Sequence, residues 1–263
     1  MNRNVFSDAK SSKGGPQSCF QLDEAKGIIF LSILSLLSVF TSKLFNLYRA
    51  FTIIQVIFAD ILFYFMTDDN ITDEDILEML KPETDLERLL IQQPALKAGL
   101  LWGEPRYGHP EGQVLYHIPE IFENIDNIMP PLSIEARQSL RLITLLHDSF
   151  KYQEDKSDPR DWSQHHSKLA RRFAEGFISD VRILETIELH DDAYYCWRLA
   201  ALHHDELKSN KRFDALLERV KPFLQLYYLF FKCDTATGDK TQAPMKWFER
   251  KVVGIDIVSF RRN

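Results

Sequence analysis

From Met66 to the end of the 263-residue chain, apolar side chains recur at three- and four-residue intervals. No alternating run of useful length is bounded by turn residues. That periodicity confines the chain to helices joined through apolar stripes, an all-α fold. A helix is expected over residues 113–128, with Pro119 in or bending its first turns. Ser133 is placed to cap a second over 134–151, Ser163 a third reaching about Phe177, and Asp180 a fourth over 181–190 that continues through Trp197 towards His203. Asn210 precedes a long helical segment, 211–234, which Pro222 should kink or divide, and a short helix follows Pro244. Residues 102–112, with Pro105, Gly108, Pro110 and Gly112, read as an irregular loop.

Residues 1–65 differ in kind. They hold nine of the nineteen phenylalanines and none of the eight histidines, and residues 27–42 are a charge-free run of sixteen. A second apolar stretch, 51–65, is interrupted by Asp60. Both fall short of the ~20 residues that span a bilayer comfortably, and no small-residue cleavage site follows the first. Three readings stay open: a membrane-associated hairpin through residues 28–65, a pair of apolar helices covering the domain, or a start-site artefact. The polar stretch that opens at Met66 marks the start of the domain, 66–263.

The net charge is −6, with acidic residues spread along the chain and no basic block, which argues against nucleic acid as a partner. Three cysteines (Cys19, Cys196 and Cys233) without metal-type spacing fit a reducing, cytoplasmic compartment.

Several polar residues lie where the core should be. His166 shares a stripe with Leu169, Ala170, Phe173 and Phe177, whereas His165 shares a more polar face with Lys168 and Arg172. His190 falls with Ile183, Thr186 and Ile187, and His147, followed by Asp148, falls with Leu140, Ile143 and Thr144. His117 accompanies Val114 and Ile121, and Asp234 ends the stripe of Leu226, Tyr227, Phe230 and Phe231. A single histidine on an apolar face is most often a hydrogen-bonded core residue, and a single aspartate at a helix end a cap. Six such groups on successive helices are better accounted for together, by a divalent cation that neutralises the aspartates and satisfies the imidazoles. Mixed histidine and carboxylate donors suit Mn, Fe, Co, Ni or Zn, with Mg admitted where water fills the remainder.

The order His117, His147-Asp148, His166, His190, Asp234 resembles the HD-domain superfamily of all-helical metal-dependent phosphohydrolases, named for its adjacent His-Asp pair. Residues 146–151 are similar to that family's LHDxxK core. The run His109-Pro110-Glu111-Gly112, followed by His117, resembles the opening of the HD domains in tRNA nucleotidyltransferases. The likeness spans residues 102–234, about half the chain. Phe150 replaces the glycine that often precedes the lysine, and no nucleotidyltransferase domain precedes His109, which argues against tRNA maturation.

The resemblance implies an HD-domain helical bundle in which His117, His147, Asp148 and Asp234 hold one ion. His166 and His190 would make room for a second, with Asp148 bridging. It implies a water activated at that centre, and catalytic roles for Asp148 and Lys151, the lysine rising four residues after His147 from the same helix face or else standing solvated at the helix end. Arg106 and Arg198 are candidates for gripping phosphate, His109 and Glu111 for orienting ligands. The pair His203-His204 is read as a solvated helix end. The expected substrate is a nucleotide or other small phosphate ester. The alternatives are a di-iron oxygenase using the same six ligands and a nucleotide sensor without turnover.

Overall fold

The computed structural model describes residues 71–261, which fall within one compact unit, Asn70–Asn263. The expectations for residues 1–65 lie outside the described residues. Within these the fold is all-α, and no helix is long and apolar enough to cross a membrane.

Three short helices open the domain. Helix α1 (Asp73–Leu80) begins with a capping box, in which Thr72 accepts from the Asp75 backbone and the Asp75 carboxylate accepts from the Thr72 N–H at 2.8 Å. Thr84 caps α2 (Asp85–Ile91), and α3 (Pro94–Leu100) starts on a proline, whose missing N–H costs nothing at that position. Gly99 on α3 lies against the backbone of Ser149, where a Cβ would overlap the Ser149 carbonyl oxygen. Only glycine admits that approach.

The central helices are α4 (Val114–Asp126), with Pro119 inside it, and α5 (Ile134–Leu146), capped by Ser133 as expected. Arg141 of α5 is buried against α1 and α2. Its guanidinium pairs with the buried Glu87 at 2.9 Å, donates to the Leu80 and Lys81 carbonyls at 3.3 and 3.0 Å, and lies 3.8 Å over the Phe122 ring. It thereby fills carbonyls that the end of α1 leaves without helical partners.

Helix α5 ends at Leu146 instead of continuing to Lys151; a turn through Asp148 leads into a single 3-10 turn, Lys151–Gln153. Helix α6 (His166–Ala174) is capped by His165 and not by Ser163, which falls in a preceding 3-10 turn capped by Asp161. Asp180 caps α7 (Val181–Leu189). The expected continuation is a separate helix, α8 (Asp192–Ala201). Asp205, and not Asn210, caps α9 (Glu206–Val220), and Pro222 sits in a 3-10 turn that divides it from α10 (Leu224–Thr235). Helix α11 (Ala243–Lys251) follows. A two-residue ribbon pairs β1 (Ile128–Met129) with β2 (Ser259–Phe260), too short to leave a sequence period.

Leu140, Ile143, Ile187 and Phe230 meet in the core, each fully or almost fully buried. Each such side chain contributes roughly 1.5–3 kcal/mol by leaving water. Tyr227 of α10 is buried among them. Its hydroxyl donates to the Leu189 carbonyl at 3.0 Å and accepts from the Ala193 N–H at 3.2 Å, tying the end of α7 to the start of α8. Tyr227→Phe leaves both backbone groups buried and unpaired. It is expected to cost about 1–3 kcal/mol, read as a lower urea midpoint at unchanged slope; an unchanged midpoint would mean that water replaces the hydroxyl.

Candidate metal centre

Helices α5 and α7 end in the same way. In Leu146-His147-Asp148 and Leu189-His190-Asp191 the histidine is the C-cap residue, and its Nδ1–H donates to the carbonyl three residues back, Thr144 at 2.9 Å and Ile187 at 2.8 Å. A carbonyl only accepts, so Nδ1 must carry the hydrogen and each ring turns Nε2 inward.

His147 shows what that costs. Its Nε2 is buried and makes no hydrogen bond, with Asp148 Oδ2 at 3.5 Å and Asp234 Oδ1 at 3.9 Å. Burial holds the imidazole down to about 3, against the pull of both aspartates, so protonation does not relieve the crowding of acceptors. A cation would.

Two further rings have glutamates beside Nδ1, His166 through a hydrogen bond and His117 through charge proximity alone. His117, from α4, has Glu111 Oε1 3.1 Å from Nδ1 and Asp234 Oδ1 3.0 Å from Nε2. Burial and Lys240 oppose its charged form, but Asp234 and Glu111 prevail and raise it. His166 has Glu154 Oε1 3.3 Å from Nδ1, while its Nε2 lies 3.5 Å from Asp148, 3.4 Å from Asp191 and 3.3 Å from His190 Nε2. Only one proton fits between those two nitrogens. We assign it to His166, which three carboxylates raise to about 10 in spite of burial.

The six expected ligands therefore converge. His117, His147 and Asp148 form one group, and Asp148, His166 and His190 another, with donor atoms in each within 4.8 Å of one another. Asp234 reaches the first group through His117. These buried histidines and aspartates can hold a metal ion. Burial would raise Asp148 and Asp234, but Lys151 beside the first, Lys240 beside the second and the imidazoles keep both well below the usual carboxylate range.

A cavity of about 220 Å³ opens over the cluster, lined by Asp148, His190, Asp191 and Asp234, by Lys151 and Lys240, and by Tyr107 and Tyr194. Lys151 reaches Asp148 from the 3-10 turn and not from the helix of His147. Lys240 bonds Asp234 Oδ1 at 2.8 Å. Its loop is clamped to residues 102–112 and to α4: Gly108 N–H donates to Asp239 at 2.6 Å, a Cβ on Gly238 would stand 2.9 Å from Pro110 Cδ, and Gly238 N–H donates to Glu120 of α4 at 3.0 Å.

Neither arginine candidate lines the cavity. Arg106 is exposed on its loop, 3.5 Å from the Glu104 carbonyl, and Arg198 lies 5.8 Å over the Tyr194 ring. His109 and Glu111 fit the orienting role, bonded to each other at 2.9 Å beside His117. His165 is buried rather than on a polar face, its Nε2 3.5 Å from Glu154. His203 and His204 are exposed at the end of α8, as expected.

Asp191, Glu154 and Lys240 were not among the expected ligand-shell or substrate-contacting residues. The repeated Leu-His-Asp triplet was the available sign for Asp191; Glu154 and Lys240 sit in segments without periodicity.

Comparison of the chain with models of known families, with curated proteins and with solved structures finds no match.

Proposed function

We propose that this chain is a metal-dependent phosphohydrolase of the HD-domain kind, acting on a nucleotide or other small phosphate ester. The reading rests on the placing of Asp148. Its Oδ2 faces His147 at 3.5 Å, while its Oδ1 lies 3.5 Å from His166 and 3.4 Å from His190, so one carboxylate serves two imidazole groups. His117, His147, Asp148 and Asp234 would hold one ion, and His166 and His190, sharing Asp148, would hold another. Nitrogen-rich donors favour Mn, Fe, Co, Ni or Zn over Mg. When bound, such an ion lowers the pKa of water towards neutrality and offsets phosphoryl charge.

The chain's own residues supply the rest. Lys151 and Lys240 line the cavity as fixed positive charges for an anionic ester. Glu154 and the Thr144 and Ile187 carbonyls hold three of the rings by hydrogen bonds, which limits the reorganisation needed when substrate arrives. Lys151 on Asp148 favours hydrolysis over the oxygen-dependent alternative. Cys196 and Cys233, buried free thiols, support placing the protein in the cytoplasm.

The test is chelation and reloading of the full chain before a panel of phosphomonoesters and phosphodiesters. Turnover is expected to vanish with chelator and to return with Mn²⁺. Oxygen consumption by iron-loaded protein, with no phosphate released from any ester, would replace this reading with the oxygenase.

A further inference from the structure

The geometry points to Asp191 as a seventh ligand, which with Asp148, His166 and His190 makes a second cation site matching that of His117, His147, Asp148 and Asp234. The inference rests on the metal centre proposed above and adds to it the residue that completes the second half.

Position is the first argument. Asp191 follows His190 as Asp148 follows His147, each directly after a C-cap histidine whose Nδ1–H is bound to its own helix. The two helix endings present the same pair of donors, an inward Nε2 and the next carboxylate. Asp191 Oδ2 lies 3.4 Å from His166 Nε2 and 3.5 Å from His190 Nε2, while Asp148 Oδ1 lies 3.5 and 3.4 Å from the same two atoms. Both carboxylates thus lie within 3.5 Å of the same two imidazole nitrogens.

The ordinary use of an aspartate here is refused. Asp191 occupies the N-cap position of α8, where its carboxylate would normally accept from the first turn. It makes no such bond. The Tyr227 hydroxyl takes the Ala193 N–H in its place, and Asp192 pairs outward with Arg212 at 2.6 Å. Capping and surface pairing are both handled by other residues, which leaves the Asp191 carboxylate turned to the two imidazoles.

Exposure separates the two halves. The Asp191 side chain is 31% exposed against 20% for Asp234, its counterpart in the first half. It lines the cavity over the cluster and also a second one of about 320 Å³ beside His165 and Tyr195. The second ion is therefore the more open to water and the more readily exchanged. With three carboxylates among the ligands, two dications would keep a single net positive charge, suited to an anionic ester.

Mn²⁺ titrated into the metal-stripped full chain, with bound metal measured by dialysis and elemental analysis, decides the matter. The wild type is expected to take two equivalents in a tight and a weaker step. Asp191→Asn should keep the tight step and weaken the other at least ~100-fold, the upper end of what loss of an orienting partner costs. Asp192→Asn should keep both. A wild type that binds fewer than two equivalents, or a folded Asp191→Asn that binds two with unchanged affinity, overturns the site. Should Asp191→Asn not fold, Asp191→Glu is read instead; it should shift only the weaker step, and two unshifted steps overturn the site equally. Two equivalents bound without turnover of any ester would reject the phosphohydrolase and leave the Asp191 site standing.

Discussion

Asp148→Asn is expected to abolish turnover, a loss of several orders of magnitude, while leaving the helical circular dichroism unchanged. Both oxygens of Asp148 are engaged. Oδ1 faces His166 and His190, and Oδ2 faces His147 and takes a hydrogen from Lys151. Asparagine keeps the volume but offers one oxygen, and its amide must turn towards an imidazole lone pair or the lysine ammonium. It also removes a negative charge from a poorly solvated cluster, leaving Lys151 and any bound dication with less compensation. The apolar stripes that build the helices are untouched, so the defect should be confined to the site. Dichroism, metal content and turnover can be read from one preparation. A folded Asp148→Asn protein with wild-type metal content and turnover would remove the basis of the proposed centre.

Arg141→Ala should cost about 3–5 kcal/mol of stability, as removal of one partner from a buried ion pair does. Glu87 is fully buried and would be left without a guanidinium beside it, and the Leu80 and Lys81 carbonyls would lose their donor. Arg141→Lys is not expected to rescue, because one ammonium cannot serve a carboxylate and two carbonyls in the geometry of a planar fork. Replacing Arg141 and Glu87 together by apolar residues should recover much of the loss, since no charge is then stranded. Urea unfolding of the full chain, followed by dichroism, measures all three. A single variant within 1 kcal/mol of wild type, an allowance on the order of a surface substitution, would show that water reaches Glu87.

The periodic parts of this fold were legible in the sequence, and the site was legible because its residues interrupt those periods. Ser133 and Asp180 cap the helices expected of them, and Pro222 divides its segment. In sequence the helical spacing runs past the end of α5, because Phe150 is buried and sustains the apolar stripe beyond Leu146. The turn that follows packs on a residue distant in sequence, Gly99 of α3, whose missing Cβ leaves room for the Ser149 carbonyl. At the start of α9 several residues could cap, and the choice depends on packing, since Ser209 is buried inside the helix with its hydroxyl on the Cys196 carbonyl. Sequence marks Arg106 by its charge in an irregular loop and Arg198 by charge, and neither sign fixes where the side chain lies. The cations that do line the cavity are lysines placed by a turn and a clamped loop, which leave no periodic trace.

The two helix endings also join the centre to the motions of the backbone. Helix termini are where native chains open most cheaply and most often. Here the last turns of α5 and α7 are closed by His147 and His190, the same rings that turn Nε2 towards the aspartates. Fraying at either end swings a donor out of the cluster, and a ligand held by that donor suppresses the fraying by mass action. Occupancy and the lifetime of two helical turns are thus linked equilibria. Amide exchange in those turns would report on the centre without any substrate being present.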